Sequence, residues 1–314
     1  SDVADALWAW IQKNQVRFLG NETVSRLLFE DEPHRIHGVE TTTGDRFFAP
    51  SVLLTTGGKS YPATGSDGQG YALARTAGHS ISPVRPALVP VETREDTAAR
   101  MQGLSLKNIR ASLWCSERKL ADEFGELLFT HFGLSGPVIL SLSREAGACL
   151  ERGELCRIHL DLKPALDHKQ LQMRMLRDIE SQGKKQMGNM LRQYLPSSMI
   201  SVILQLSGIP EDLPALQLNA IQRKKLIGLM KDWPFTISRL RPFKEAVITC
   251  GGIPTEEVQG RSMASKLTPG LFFAGEILDL DAMTGGFNLQ IAWSSGYLAG
   301  EHAARYAENL RTAD

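Results

Sequence analysis

The stretch Gly270-Leu271-Phe272-Phe273-Ala274-Gly275-Glu276, followed by Thr284-Gly285-Gly286-Phe287-Asn288-Leu289-Gln290-Ile291-Ala292 and then Ser294-Ser295-Gly296, decides the fold. Its first part is an apolar run short enough for a buried parallel strand. An acid at the carboxyl end of such a strand stands where open α/β sheets bind their ligands. The second part is a glycine pair opening a helix. It brings free backbone N–H groups and a positive helix end to the same edge, suited to an electron-rich ring or an anion. Upstream, Val52-Leu53-Leu54-Thr55-Thr56-Gly57-Gly58 repeats the pattern of a strand running into glycines. Lys59-Ser60-Tyr61-Pro62-Ala63-Thr64-Gly65-Ser66-Asp67-Gly68-Gln69-Gly70-Tyr71 then carries the chain through a turn into a helix starting near Gly68.

The C-terminal pair of segments resembles the flavin-contacting half of a two-dinucleotide-fold flavoprotein, with Glu276 where many relatives carry Asp. The 52–71 block is similar to the ATGG-x-SYP-x-TGS-x-GDGY signature of the aminoacetone oxidase (BaiN-type, YhiN-like) family of bacterial FAD-dependent oxidoreductases. The resemblance continues through Pro86-Ala87-Leu88-Val89-Pro90, through Gly125 to Pro137, through Val247-Ile248-Thr249-Cys250-Gly251-Gly252-Ile253 and through Met263-Ala264-Ser265-Lys266. A lone glycine-rich loop is weak evidence, whereas six ordered blocks identify a family.

The resemblance implies an α/β fold: an incomplete two-dinucleotide-fold FAD-binding (Rossmann-like) domain carrying an inserted antiparallel β domain and a small helical domain. It implies FAD as cofactor and admits NAD(P)H as electron donor. Thr56, Gly57, Gly58, Gly275, Glu276, Gly285, Gly286, Phe287, Asn288 and Leu289 are the expected cofactor-binding residues. Glu276 is expected to hold the ribityl chain, and the glycine helix to steer negative charge onto the reduced ring. His131, between a strand and the Gly133–Pro137 turn, is the candidate for moving the proton that accompanies hydride transfer. Lys59 is a second catalytic candidate, as a cation beside an anionic reduced ring; its alternative is a solvated turn lysine. Tyr61 before Pro62 reads equally well as packing, and Arg239, Arg241 and Lys244 read as a solvated edge rather than an anion grip.

Members of that family begin with a strand, a G-x-G-x-x-G turn and a helix that cradle the FAD pyrophosphate. This sequence instead opens with an amphipathic helix from Ser1 to Ile11, with apolar Val3, Ala6, Leu7, Trp10 and Ile11. The expectation is a fragment of a longer protein whose partners include its own missing N-terminal segment; a naturally shortened form is the alternative.

Length, composition and charge are those of a soluble globular chain: 314 residues, 42% hydrophobic, 22% charged, with 35 basic and 35 acidic side chains. A net charge of zero gives no electrostatic reason to expect nucleic acid or a membrane surface as partner, and no apolar run reaches the roughly 18 to 20 residues of a membrane helix. Cys115, Cys149, Cys156 and Cys250 show no C-x-x-C spacing and read as reduced thiols of a cytoplasmic protein. The histidines share no metal-ligand spacing, and no metal is expected.

Along the chain, short strands are predicted at 16–19, 23–30, 36–41, 46–49 and 51–56, with Thr43-Gly44-Asp45 as a hairpin turn. Extended segments at 109–114, 127–130 and 156–162 suggest a sheet or small barrel, and helical spacing dominates 171–182, 187–194, 198–206 and 219–232. Trp233-Pro234-Phe235 reads as core packing. The domain reading is 1–81 FAD-binding, 82–163 β-rich insertion, 164–248 mainly helical and returning through a strand, and 249–314 FAD-binding again. The expected function is hydride transfer between a small organic substrate and flavin N5, in the manner of an amine oxidase or a C=C reductase. The alternative is a non-catalytic fragment or binding module that does not hold FAD by itself.

Overall fold

The computed structural model describes residues 2–30 and 34–312; Ser1, 31–33 and 313–314, which fall in the predicted FAD-binding segments, lie outside them. Helix α1 (Asp2–Lys13) leads into a three-stranded antiparallel sheet of β1 (Val24–Glu30), β2 (Arg35–Thr41) and β3 (Arg46–Phe48). Gly44, at φ 90°, makes the β2–β3 turn, the left-handed conformation that glycine adopts without strain. The predicted strand at 16–19 is not formed; Phe18 instead sets its ring edge-on against Trp8 at 4.9 Å.

Strand β4 (Val52–Leu54) and helix α2 (Gln69–Thr76) follow, then β5 (Arg85–Ala87), β6 (Val91–Thr93), β7 (Ser105–Cys115), β8 (Arg118–Phe129) and β9 (Gly133–Ser135). Helix α3 (Pro137–Glu151) lies inside the segment predicted to be β-rich. Pro137 at its first turn is pre-set for a helix start, and Val138, Ile139, Leu142, Ala146 and Cys149 recur at helical spacing on its buried face. Strand β10 (Cys156–Asp161) precedes the helices α4 (His168–Gln182), α5 (Met187–Met190), α6 (Ser197–Ser207) and α7 (Ala220–Lys231). Strand β11 (Trp233–Leu240) then returns and pairs with both β10 and β6, closing a six-stranded barrel in the order β10-β11-β6-β9-β8-β7. The helices are thus spliced between two neighbouring barrel strands. Barrel, α3 and helices share one continuous core, in which Trp233, Phe235 and Phe129 pack their rings together.

The chain leaves the barrel through β12 (Ile248–Cys250), paired with β5, and β13 (Leu271–Phe273), which lies parallel to β4, and ends in the long helix α8 (Phe287–Arg311). Leu54, Tyr71, Leu73, Leu271, Phe273 and Ile277 form a second core beneath this unit. No helix among the described residues is long and apolar enough to cross a membrane. The cysteines correct one expectation. Cys115 at the end of β7 and Cys149 on α3 form a disulfide with Cα atoms 5.9 Å apart, while Cys156 and Cys250 are free and buried. The reading of four reduced thiols judged spacing in sequence, and the fold brings residues 34 positions apart together.

Candidate functional site

The parallel pairing of Leu271 with Val52 and Phe273 with Leu54 places the carboxyl ends of β13 and β4 side by side. Gly275, at φ 77°, turns the chain out of β13, and its N–H donates to Ser295 Oγ of α8 at 3.0 Å, fixing strand end to helix. The turn presents Glu276. Its Oε1 accepts the Thr249 N–H at 2.7 Å, and Oε2 has no partner among the described residues. Thr249 Oγ1 in turn accepts the N–H groups of Lys59 (2.7 Å) and Ser60 (3.1 Å). With both lone pairs so engaged, its proton goes to Ser60 Oγ, 3.0 Å away. This buried knot ties the glycine turn after β4 to the acid after β13. A Cβ on Gly58 would lie 2.4 Å from Thr249 Oγ1 and 2.6 Å from Glu276 Oε1, so no side chain fits there.

Opposite the acid, Gly285 (φ 110°) and Gly286 (φ 87°) open α8 with no side-chain cap. The first N–H groups of the helix therefore have neither an intrahelical acceptor nor a capping oxygen. Glu276, Gly285, Gly286, Asn288 and Leu289 border a cavity of about 480 Å³, whose other walls include Leu88, Val247, Ile248, Leu280 and Tyr61. Space beside Gly286 is open, with nothing within 4 Å of where a Cβ would stand. An electron-rich planar group fits this set: apolar walls, one carboxylate oxygen free, and helix N–H groups at one end.

Two wall residues hold unusual backbones. Tyr61 sits at φ 54°, ψ 53° directly before Pro62, and Leu88 sits at φ 49°. The left-handed region is costly for residues with a side chain, and a following proline restricts it further. The Tyr61 carbonyl is held by both the N–H and the hydroxyl of Thr64, each at 2.8 Å. Behind the acid, the Tyr71 hydroxyl is buried with no hydrogen-bond partner among the described residues. Burial, and then the nearby charges of Glu276 and Asp279, push its pKa well above the usual phenol range.

The predicted residues divide. Gly58, Gly275, Glu276, Gly285, Gly286, Asn288 and Leu289 come together at the cavity or directly behind it. Asn288 turns its amide back, with Oδ1 accepting the Ala282 N–H at 2.8 Å and Nδ2 donating to the Ala282 carbonyl at 2.7 Å. It braces the loop ahead of the glycines, which Arg144 of α3 also grips through Asp281 at 2.6 Å. Thr56 and Gly57 pack against the α2 side of the turn, Thr56 against Gly70 and Gly57 against Ser66. Phe287 is exposed and is not among the cavity-lining residues. Lys59 gives its N–H to Thr249, and its ammonium lies 5.3 Å from the centre of the Phe243 ring. His131 is exposed, sets its ring edge-on against Phe132 at 4.9 Å, and does not line the cavity. Arg241 bridges Glu92 and Glu245 over the Phe132 ring, and Arg239 joins at Glu92. Thr249, Tyr71 and Leu88 were not singled out from sequence, although each lies in a quoted block. A hydroxyl inside the short apolar run Val247–Cys250 was the available signal for Thr249.

The sequence profile of the family described as "HI0933-like protein Rossmann domain" matches residues 1–302. A 3-dehydro-bile acid delta(4,6)-reductase of Clostridium scindens is 35% identical over 261 residues, 83% of this chain and 64% of that protein. A ribosomal RNA dihydrouridine synthase of Escherichia coli is 30% identical over 246 residues, 78% of this chain and 58% of the relative. The enzyme of the same name from Haemophilus influenzae is 26% identical over 297 residues, 94% and 70% respectively. The chain therefore spans between 58% and 70% of the length of these relatives.

Proposed function

We propose that the chain, which belongs to the HI0933-like Rossmann-domain family, is the flavin-ring and substrate portion of an FAD-dependent oxidoreductase that reduces a carbon–carbon double bond conjugated to a carbonyl. The observation that carries this reading is the cavity in which Glu276 Oε2 and the uncapped start of α8 face a space walled by Leu88, Val247, Leu280 and Leu289. When bound, the flavin supplies the hydride at N5. The chain does the rest. Glu276, kept in place by Thr249, would accept hydrogen bonds from hydroxyls of the cofactor. The uncapped start of α8 would favour negative charge on a ring held beside it. The apolar walls exclude water from the face where substrate lies.

The relatives' names support this choice over amine oxidation. A 3-dehydro-bile acid delta(4,6)-reductase and a dihydrouridine synthase are both named for adding hydrogen across a carbon–carbon double bond, and in both substrates that bond is conjugated with a carbonyl. The cavity agrees, since no lysine or arginine among the described residues lines it and its walls are mostly apolar, a lining suited to a neutral, flat, unsaturated ligand.

Titration of the chain with FAD, followed by flavin fluorescence and by visible spectra after desalting, tests the binding half. Anaerobic mixing of the reduced complex with a cyclic enone tests the chemistry. Quenching that Gly58→Val removes, followed by enone-dependent reoxidation, is the expected result. Absence of any flavin binding would overturn the reading for this chain and leave a binding module that does not hold FAD by itself.

A further inference from the structure

A second cavity, of about 740 Å³, lies where strands β7 and β8 meet the segment joining β10 to α4. Lys107, Arg110, Lys163 and Arg174 line it together with Phe124, and no aspartate or glutamate does. Net neutrality of the whole chain conceals this. Residues 164–232 carry ten lysines and arginines against six acids, in a protein with 35 of each.

Two of these cations, Lys163 and Arg174, form no ion pair with a carboxylate among the described residues; Asp178, one turn along α4 from Arg174, accepts the Tyr194 hydroxyl instead. Lys163 is half-buried, has no carboxylate partner among the described residues, and is pushed below the usual lysine range by burial and by the charge of Arg174. Asp161, the nearest acid in sequence, is occupied elsewhere: Oδ1 accepts the Lys163 N–H at 2.9 Å and Oδ2 accepts Lys231 Nζ at 2.6 Å. Arg174 lies over the Tyr194 ring, 5.1 Å from its centre, which holds the guanidinium without discharging it. A half-buried Lys163 and an exposed Arg174 close enough to feel each other's charge lower their mutual repulsion by taking up an anion. Arg110 and Lys107 make exposed pairs with Asp122 (3.1 Å) and Glu126 (3.7 Å), the kind that salt or an incoming phosphate displaces at little cost. Phe124 is the cross-strand partner of Arg110, and the residue is 59% exposed beside these charges. An aromatic face next to a cationic groove is the pairing that holds a base and its phosphate together.

We propose that this groove is a nucleotide-binding site, with phosphate held by Lys163, Arg174 and Arg110 and the base stacked on Phe124. The nucleotide belongs either to a free mono- or dinucleotide or to a single strand of RNA. The site shares no residue with the flavin cavity, so it stands whether or not the redox reading holds.

The test is equilibrium binding to the 314-residue chain, using a fluorescein-labelled single-stranded RNA 12-mer by anisotropy and ADP and inorganic pyrophosphate by calorimetry, at two salt concentrations. Lys163→Met with Arg174→Met keeps the packing stems and is expected to weaken all three probes by on the order of tenfold or more. Phe124→Ala is expected to weaken RNA and ADP but not pyrophosphate. RNA binding that ADP cannot match assigns the site to a strand, and ADP binding as tight as RNA assigns it to a free nucleotide. Either result supports the site. No saturable binding of any probe, or binding that the double variant leaves unchanged while its thermal midpoint matches the parent, overturns it.

Discussion

Glu276 works through Thr249, and Thr249 through Lys59 and Ser60, so the smallest changes in this knot should have separable effects. Thr249→Val keeps the shape but leaves two backbone N–H groups without an acceptor. An expected loss of on the order of 2 kcal/mol follows, read as a lower denaturant midpoint. Thr249→Ser keeps the oxygen and should restore most of it. Gly58→Ala is expected to weaken FAD binding at least tenfold, because its methyl would overlap both Thr249 and Glu276. Unchanged flavin affinity in that variant would show that the acid and the glycine turn do not act on the cofactor together.

At the level of elements, the start of α8 depends on the loop before it. Asn288 and the Arg144–Asp281 pair are the two braces on that loop, one from the helix itself and one from α3. Asn288→Ala should cost only about 1 kcal/mol, the worth of its hydrogen bonds to Ala282, yet loosen the glycine pair. Weaker flavin binding with a nearly unchanged melting temperature is the expected signature, and equal loss of both would mean that the brace is only structural. The beginning of α8 was legible from Gly285-Gly286, because glycine pairs before an apolar helix have few other uses. The role of Asn288 was not, since its bond partner lies in a loop with no periodicity to read.

For the whole molecule, two ties between distant segments set its response to solution conditions. His79, after α2, bonds Glu257 at 2.9 Å through Nδ1 and Ser265 at 2.7 Å through Nε2. Burial, opposed by Glu257, holds its pKa below the ordinary 6.5. The unfolded chain takes up a proton near pH 6.5 that the folded chain refuses until lower pH, so stability must fall as pH drops below about 6.5. Burial would raise Glu257, but its bonds from Ser80 and His79 outweigh that and lower it, so its contribution is lost only below the ordinary 4.5. Melting temperatures between pH 7.5 and 4 should show the first decline in the parent and a shallower one in His79→Gln. The second tie is the Cys115–Cys149 disulfide, which closes a loop of 34 residues and should contribute roughly 3 to 4 kcal/mol. Intact-mass measurement without reductant should show the two missing hydrogens, and Cys149→Ser or added dithiothreitol should lower the melting temperature.

What the sequence by itself determined is the chemistry that sits in contiguous runs: a strand ending in Glu276, glycines where a Cβ cannot fit, and the family that carries both. Such features are local, because a strand end, a helix start and a turn are each set by residues within a few positions of one another. The tertiary structure alone decided the rest. It joined the Thr249 N–H to Glu276, left His131 outside the cavity lining, made Trp233–Leu240 a barrel strand and joined Cys115 to Cys149. It also gathered Lys107, Arg110, Lys163 and Arg174 around Phe124 in a chain whose charges sum to zero. Those are contacts across tens to hundreds of residues, and no pattern of neighbours along the chain encodes which distant side chain will fill a given space.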